Sequence, residues 1–276
     1  MSEVKVAAFQ FDLEAGDVEA NLERVEAALH AAAPEGVQLV GLPEMWPSSF
    51  VDVGPRAAEL VEVSEKAVDR VRELSGELGL TVFGSAFADA GARERLYNRW
   101  HLLDHGRRLD SYDKVHLFSP TAEPFHFVAG EAAPEAQETK AGLVSGGICY
   151  DLRFPELFRR AFRQHTQFIG LPAQWPDARA GHWVALAVAR AIENQCFVIA
   201  VNRTGRVVLG RRKHELRFPG NSLIVDPTGE VLAEGTGDDG LVIASCDLEE
   251  ARHFRVRVPI EKDERTELHG DWTELK

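Results

Sequence analysis

The sequence predicts an α/β fold in which mixed β-sheets are covered by helices. Short apolar segments rich in valine, typical of buried strands, alternate along the 276 residues with segments whose apolar residues have helical spacing. Two pairs of predicted strands are separated by turn sequences, which indicates hairpins and therefore antiparallel neighbours within the sheets. No low-complexity linker interrupts this alternation. We therefore predict one domain over residues 1–260 and a charged C-terminal tail over residues 261–276.

In the N-terminal half, Asp17 is the predicted cap of the first helix, because its short carboxylate side chain can accept a backbone N–H at a helix start. The apolar residues of this helix have helical spacing and are Val18, Leu22, Val25 and Leu29. A second apolar helical face begins at Ala67 and stops at Gly79. The predicted strands of this half are residues 4–9, 37–42, 81–88, 96–103 and 108–113, the last two joined by the turn Asp-His-Gly-Arg.

In the C-terminal half, a helix is predicted to begin at Pro155, since proline is favoured at the first helical position. A second helix spans residues 180–195 and carries more apolar surface than one stripe requires, which suits a buried helix or an interface. The turn Asp-Pro-Thr-Gly predicts a hairpin. The predicted strands of this half are residues 167–171, 197–202, 222–225 and 231–234.

Cysteine usage and net charge restrict the setting of the protein. The three cysteines are an odd number and lie far apart in the sequence, which disfavours a disulfide framework and indicates a reducing compartment. The N-terminal segment lacks the pattern of a signal peptide, so we expect a cytoplasmic protein. A net charge of −13 disfavours binding to nucleic acid or to anionic membranes, and no apolar segment is long enough to span a bilayer.

A glutamate, a lysine and a cysteine each lie at the end of a predicted strand. Cys149, in the segment GGICYDLRFPELFRR, follows a short apolar run, and Glu44 and Lys114 follow two other strands within two residues. Each residue alone has an ordinary explanation, because free cysteines are mostly buried and charged side chains are mostly solvated. Ligands of open α/β sheets bind where strands end, so the shared position of the three residues predicts a site.

Two ten-residue segments are similar to each other. QLVGLPEMWP (38–47) and QFIGLPAQWP (167–176) share six identical positions, and each is an apolar strand followed by a loop with Trp-Pro. We interpret them as equivalent strand-to-loop corners on the same rim of the fold. The corners differ where Glu44 aligns with Ala173, so we expect the second corner to provide apolar pocket walls, Ala173 and Trp175, and no carboxylate.

Three blocks resemble signature sequences of the nitrilase superfamily, the carbon–nitrogen hydrolases. They are GLPEMW with Glu44, YDKVHLF with Lys114, and GGICYDLRFPELFR with Cys149, and the resemblance extends from Val4 to about Phe254. CYDLRFPEL and RAIENQ are most similar to the ω-amidase branch. The resemblance implies an α-β-β-α sandwich and a homodimer, which we expect to form through the helix at Pro155 and the helix over residues 180–195.

The resemblance also implies a catalytic triad of Glu44, Lys114 and Cys149. Cys149 would attack the amide carbon to give a thioester, and Glu44 would transfer protons between the thiol, departing ammonia and water. Lys114 and the backbone N–H of Tyr150 would stabilise the oxyanion. Glu123, in the similar block AEPFHFVAG, matches a further glutamate that holds the lysine in this family.

Other polar residues have structural interpretations. Asp151 and Arg153 are expected to have a structural role rather than to bind substrate. They form an ion pair, or the Asp151 carboxylate lies at a helix start. The other two cysteines lie in apolar segments and are expected in the core. His101 and His105 are four residues apart, but on a strand and hairpin rather than a helix, and no HExxH or CxxC motif is present. We therefore expect no metal.

The leading functional hypothesis is a cofactor-free amidase for a small ω-amide of a carboxylic acid, such as an α-keto acid. The same triad would suit a nitrile, a carbamoyl amine or deaminated glutathione. Two other classes remain open, a non-catalytic nitrilase-like binding module and a metallohydrolase. Arg179 and Arg203 are candidates for holding the acid group of the substrate, because a protein of charge −13 needs a local cation to bind an anion.

Overall fold

The computed structural model describes residues 3–51, 53–92, 95–109, 111–209 and 214–269. The strands are β1 (Glu3–Gln10), β2 (Leu39–Gly41), β3 (Thr81–Ala92), β4 (Arg95–Asp104), β5 (Arg107–Arg108), β6 (Tyr112–Asp113), β7 (Gln137–Thr139), β8 (Gly142–Gly146), β9 (Phe168–Ala173), β10 (Phe197–Asn202), β11 (Thr204–Leu209), β12 (His214–Pro219), β13 (Leu223–Val225), β14 (Val231–Glu234) and β15 (Gly240–Asp247). The helices are α1 (Val18–Ala32), α2 (Ala57–Leu78), α3 (Glu123–His126), α4 (Pro155–Arg163), α5 (Ala180–Asn194), α6 (Leu248–Arg257), α7 (Ile260–Asp263) and α8 (Thr266–His269).

The strands form two large mixed sheets and a separate hairpin. The first sheet has the order β15-β1-β2-β3-β4-β5, with β6 also paired to β4, and the second has the order β14-β13-β10-β9-β8-β7. In both sheets the central strands are parallel and the strands towards the edges are antiparallel. Strands β11 and β12 pair with each other as a hairpin, and Thr204 of β11 also forms an isolated bridge to Asp12. The predicted mixed sheets are confirmed.

Alternation along β1 shows how the layers stack. Val6 and Ala8 belong to the core that the first sheet shares with the second, whereas Ala7 and Phe9 pack in the cluster formed with α1 and α2. Successive side chains of a strand point to opposite faces of its sheet, so α1 and α2 cover the outer face of the first sheet. Helices α4 and α5 pack on the second sheet, and Phe158 and other buried residues of these helices belong to the same core cluster as its strands. The arrangement is the expected α-β-β-α sandwich.

The two similar corners lie in different sheets and face each other. Gly41 ends β2 of the first sheet, and Gly170 lies in β9 of the second. A Cβ on Gly41 would lie 2.4 Å from the ring of Phe83, and one on Gly170 would lie 2.9 Å from the same ring. Both glycines are therefore needed so that the sheets can close around Phe83.

Local signals placed most elements correctly. Asp17 caps α1 by accepting the Ala20 N–H at 3.0 Å, and α2 ends at Gly79, whose φ is +67°. Helix α2 begins ten residues before the predicted apolar face, and residues 108–113 form two short strands with residue 110 outside the described residues. The sequence did not predict the β11–β12 hairpin, β15 or α6.

Several other predictions concern the core and the chain end. Cys196 and Cys246 are buried free thiols, as predicted. The start of the predicted tail packs on the domain, because Glu264 accepts hydrogen bonds from Arg159, at 3.0 Å, and from Arg163 of α4. Residues 270–276 lie outside the described residues. None of the described helices is long and apolar enough to cross a membrane.

Candidate active site

Glu44 lies where the first corner leaves β2. The chain turns there through Met45, whose φ is +46° and whose N–H donates to Ser85 Oγ on β3 at 2.9 Å. The Glu44 side chain is fully buried. Its Oε1 accepts a hydrogen bond from Asn98 Nδ2 at 2.8 Å, and its Oε2 accepts one from the Gln174 N–H at 3.0 Å. These donors hold both carboxylate oxygens in one orientation.

Lys114 follows β6, and its N–H donates to Asn98 O at 3.0 Å. Its fully buried ammonium group donates to Glu44 Oε1 at 2.9 Å and to Glu123 Oε1 at 3.0 Å. Glu123 begins α3, and its Oε2 accepts the Phe118 N–H at 2.7 Å. The fold thus brings Glu44, Lys114 and Glu123 into direct contact, although they are far apart in the sequence.

Burial and mutual charge shift the pKa values in this cluster. Burial acts to lower the pKa of Lys114, but the charges of Glu123, Glu44 and Cys149 together raise it well above its usual value. Burial raises the pKa of Glu123, and the Lys114 ammonium only partly opposes that rise. Lys114 therefore remains a cation throughout the neutral pH range.

Cys149 begins a short helical turn, Cys149–Arg153, three residues after the end of β8. Its φ is +47°, in the left-handed region, which costs a residue with a Cβ roughly 1–2 kcal/mol. N–H groups at the start of a helical turn have no acceptor within the turn. The N–H of Tyr150, the second residue of the turn, is therefore suited to bind an oxyanion beside the thiol.

The Cys149 thiol is protonated at neutral pH. Burial raises its pKa well above the usual value, the charges of Glu44 and Glu123 raise it further, and Lys114 and the Gln174 N–H lower it. Cys149 lines the same cavity as Glu123 and Gln174. Because the thiolate is the reactive form, a base must remove the proton when the thiol attacks a substrate.

A small cavity of about 30 Å³ opens over Cys149. Its apolar lining residues are Phe50, Phe118, Tyr150, Trp175 and Leu216, the last from the β11–β12 hairpin. Two guanidinium groups, those of Arg153 and Arg179, also line the cavity and stack on two of these rings. Arg153 stacks on the Trp175 ring with its Cζ 4.7 Å from the ring centroid, and Arg179 lies over Phe118. The cavity therefore combines an apolar wall with positive charge.

Two residues proposed for substrate contact, Ala173 and Arg203, are not among the residues that line this cavity. Ala173 is fully buried in β9, opposite Asn202 of β10, and the cavity is lined instead by its neighbours Gln174 and Trp175. Arg203 is also fully buried, and all its donors are used. Its acceptors are Thr204 O, Ser49 Oγ, Gln174 Oε1, Asp12 Oδ1 and Leu13 O. Arg203 is thus unavailable to a substrate anion, whereas Arg179 is at the cavity.

Asp151 and Arg153 do not form the ion pair that was one of two interpretations. The Asp151 carboxylate is fully buried and accepts the Ile148 N–H at 3.0 Å, which fits the alternative of a carboxylate at a helix start. Arg153 points to the cavity and lies 3.3 Å from His182 Nδ1. The two side chains diverge because successive residues of a tight helical turn point in different directions.

The histidine pair, His101 and His105, lies on β4 and in the turn that follows it. Burial lowers the pKa of His101 to about 3, so its imidazole stays neutral inside β4, while His105 Nδ1 lies 3.2 Å from Asp104 Oδ1 in the following turn. Throughout the described ranges, no three His, Cys, Asp or Glu side chains are grouped so that they could hold a metal ion. The absence of a metal stays a prediction.

Comparison with known proteins identifies the family. The model of the carbon–nitrogen hydrolase family matches residues 5–256. The chain belongs to this family. A 2-oxoglutaramate amidase of Bacillus subtilis is 32% identical over 96% of this chain and 98% of its own length. A deaminated glutathione amidase of Synechocystis sp. is 32% identical over 87% of this chain and 90% of its own length.

A solved structure of an amidase variant from Nesterenkonia sp. superposes on this carbon–nitrogen hydrolase with a TM-score of 0.82. It is 27% identical, and the match covers 98% of this chain and 97% of its own. The acetamide moiety of fluoroacetamide is covalently added at the active-site cysteine of that variant. The assignment to the nitrilase superfamily from three sequence blocks is therefore confirmed, together with its sandwich fold.

Gln174 and Asn98 are polar residues of the site that the sequence did not indicate. The Gln174 side chain donates from Nε2 to Glu44 O at 2.8 Å, while its Oε1 accepts from Arg203 at 3.1 Å. Asn98 bonds Glu44 with its side chain and Lys114 with its carbonyl group. The only signal for Gln174 was its place in the second corner, and Asn98 had none, because it lies in the middle of a strand.

Proposed function

We propose that this carbon–nitrogen hydrolase is a cysteine-dependent amidase that cleaves a small ω-amide of a carboxylic acid and releases ammonia. The observation that carries the proposal is the Cys149 thiol in the cavity wall, beside a buried Lys114 ammonium that bonds two carboxylates. A nucleophile, a base and a cation in one buried site are the groups that amide hydrolysis through a thioester requires.

In the first half of the reaction, Cys149 Sγ bonds to the amide carbon while Glu44 accepts the thiol proton. The carbonyl oxygen becomes an oxyanion, and Lys114 Nζ and the Tyr150 N–H donate to it. One preorganised donor of this kind is worth roughly 3 kcal/mol of transition-state stabilisation. Because Lys114 is already fixed by Glu44 and Glu123, little reorganisation accompanies the change in charge.

In the second half, Glu44 returns the proton to the nitrogen, the C–N bond breaks, and ammonia leaves a thioester on Cys149. Glu44 then takes a proton from water, which attacks the thioester carbon, and the same proton returns to the departing thiol. The net change is an amide plus water to a carboxylic acid plus ammonia. Glu123 keeps Lys114 in place during both halves.

The two cavity arginines support an anionic substrate. The Arg153 guanidinium contacts His182 and stacks on Trp175, and the Arg179 guanidinium stacks on Phe118. Among the described residues, neither guanidinium has a carboxylate partner. A ω-amide of a dicarboxylic acid would place its amide at Cys149 and its carboxylate between them. The Bacillus relative, a 2-oxoglutaramate amidase, supports an α-keto acid of this kind.

Removal of either arginine should therefore discriminate between charged and neutral amides. We expect Arg153→Ala and Arg179→Ala each to raise KM for 2-oxoglutaramate by about 10-fold to 100-fold, since a hydrogen bond to a charged group contributes roughly 1.5–3 kcal/mol. The KM for butyramide, which has no carboxylate, should stay near wild type in the same variants and serves as the matched control. Equal effects on both amides would contradict anion binding by these residues.

A panel of substrates tests the proposed activity itself. Ammonia release should be fastest with a small ω-amide of a keto acid, and slower with deaminated glutathione, a nitrile or a carbamoyl amine. The small cavity favours this order, and the Synechocystis relative makes deaminated glutathione the next candidate. If a chelator abolishes ammonia release, a metallohydrolase is favoured. If no substrate of the panel is turned over, a binding module is favoured.

We further propose a cytoplasmic homodimer that associates through α4 and α5. Ile192 at the end of α5 is 42% exposed, and Val256 of α6 and the following Val258 are 76% and 42% exposed. Val258 O accepts a hydrogen bond from Gln195, just after α5, so apolar side chains are exposed near the end of α5. Three free thiols agree with a reducing compartment.

We expect light scattering at micromolar concentration to give twice the chain mass, and Val256→Glu to shift the protein towards monomer because it would bury a charge in the interface. The exposed Val208, on the separate β11 strand, provides the control Val208→Glu, which should remain dimeric. A monomeric wild-type protein would refute the dimer.

A further inference from the structure

One buried carboxylate joins the segment that carries Cys149 to the segment that carries Lys114. Asp151 Oδ2 accepts the Ile148 N–H at 3.0 Å and the Tyr112 hydroxyl at 2.8 Å. Asp151 Oδ1 accepts the His116 N–H at 3.0 Å and His116 Nδ1 at 2.8 Å. The carboxylate is fully buried, so these four contacts replace its hydration.

The donors lie next to both reactive side chains. The Ile148 N–H directly precedes Cys149, while Tyr112 and His116 lie two residues before and two residues after Lys114. The Tyr112 hydroxyl also accepts the Val115 N–H at 3.1 Å. The backbone after Lys114 is therefore linked to Asp151 at two points, through Tyr112 at Val115 and directly at His116. Among the described residues, the contacts of Asp151 are the only polar contacts that join segments 112–116 and 148–151 directly.

These two segments come from different sheets. Strand β6, before Lys114, pairs with β4 in the first sheet, and β8, before Cys149, belongs to the second. Their relative position is also set by side-chain packing between the sheets and by polar contacts outside these segments, such as those of Gln174 with Glu44. The His116 ring also stacks on Phe154, with ring centroids 3.6 Å apart and an interplanar angle of 6°, which directs Nδ1 towards Asp151.

We propose that Asp151 is a positioning residue, which sets the Lys114 ammonium and the Cys149 thiol at the separation that oxyanion stabilisation needs. The inference rests on the proposed function of these two groups. Asp151 touches neither the cavity nor the charged cluster, so it acts through the two backbones alone. Stabilisation of a developing charge depends on preorganised donors, and a misplacement of about 1 Å can cost about 100-fold in rate.

Asparagine at position 151 should disturb this arrangement without removing the side chain. An amide has one acceptor oxygen, and its NH2 group would face hydrogen-bond donors where Asp151 has an acceptor. Two of the four contacts would therefore be lost or opposed. Because the substrate contacts at Arg153 and Arg179 remain, the expected change is in kcat rather than in KM.

Asp104 provides a matched control. It is also buried, and its Oδ1 accepts from the Thr81 hydroxyl at 2.8 Å, from the Lys140 N–H at 3.1 Å, and lies 3.2 Å from His105 Nδ1. It too joins the two sheets, since Lys140 lies in the turn between β7 and β8. Asp104→Asn should therefore perturb stability as Asp151→Asn does, but it lies outside the reactive segments.

The experiment compares both variants with wild type for ammonia release from 2-oxoglutaramate and for melting temperature. For Asp151→Asn we expect kcat about 100-fold lower with little change in KM, and for Asp104→Asn a kcat near wild type. In a Lys114→Met background, Asp151→Asn should have little further effect, because residues that act as one unit are not additive.

Equal kcat values for the folded Asp151→Asn and Asp104→Asn variants would overturn the inference, and so would an undiminished effect in the Lys114→Met background. If Asp151→Asn does not fold, Tyr112→Phe decides, because it removes one donor and leaves the carboxylate. Tyr112→Phe should lower kcat in the same direction, and an unchanged kcat would overturn the inference. The proposed function itself would be refuted by a different result, namely that the wild-type protein releases no ammonia or that its ammonia release does not require Cys149.

Discussion

Replacement of Cys149 by alanine is expected to lower ammonia release by on the order of a million-fold, because loss of one member of a catalytic unit removes nearly all its contribution. No other thiol can take its place, since Cys196 and Cys246 are buried in the core. Alanine keeps the Cβ, and the positive φ at this position is equally unfavourable for both residues. The melting temperature should therefore change little.

The matched control for this variant is Cys196→Ala, which removes a buried thiol of the same kind far from the charged cluster. It should keep wild-type turnover and lose a little stability through lost packing. Mass spectrometry of wild-type protein quenched in acid during turnover should detect the acyl group on the peptide that contains Cys149. Near-normal turnover by a folded Cys149→Ala variant would refute the thioester mechanism.

Sequence patterns predicted fully buried strands and strands next to a clear turn. The strand predicted at residues 197–202 agrees residue for residue with the fully buried β10, and the turn Asp-Pro-Thr-Gly correctly placed the mostly exposed β14 at residues 231–234. Strand β15 was not predicted although it pairs with β1 along its whole length, because its side chains are mostly only partly buried. Its position depends on the partner strand and not on an apolar pattern of its own.

The sequence predicted the identity of the charged site residues better than their supporting contacts. Glu44, Lys114 and Cys149 stood out because all three follow strands and because their sequence blocks resemble the nitrilase signatures. Nothing in the sequence indicated the left-handed φ of Cys149 or the four contacts of Asp151, because both result from tertiary packing. Ala173 and its aligned counterpart Glu44 are both fully buried, and a role of Ala173 in the pocket wall stays a prediction.

The site exists only where the two sheets meet. Glu44 and Lys114 belong to the first sheet, and Cys149 and Gln174 belong to the second. Gln174 crosses between them, with its N–H donating to Glu44 Oε2 and its side chain donating to Glu44 O. The two similar corners thus bond to each other directly, and the second corner supplies donors that orient the carboxylate of the first.

Glu44→Gln is expected to separate the proton-transfer role of this site from its nucleophile. Turnover should fall by about 10²-fold to 10⁴-fold, because glutamine cannot accept the thiol proton. Stability should fall by only about 1–3 kcal/mol, since the amide oxygen can still accept from Asn98 and Lys114 and mainly the contact with the Gln174 N–H is lost.

The thiol of the same variant should remain reactive. Burial raises the Cys149 pKa first, and the Glu44 charge raises it further, so glutamine removes one cause of the rise and the pKa falls. A larger fraction of thiolate then forms at a given pH, stabilised by Lys114. We expect iodoacetamide to alkylate Cys149 of Glu44→Gln at a rate that rises with pH, followed by mass spectrometry. A folded variant that is alkylated no faster than wild type at the same pH would contradict this electrostatic effect of Glu44, and one that retains turnover would show that Glu44 only orients the site.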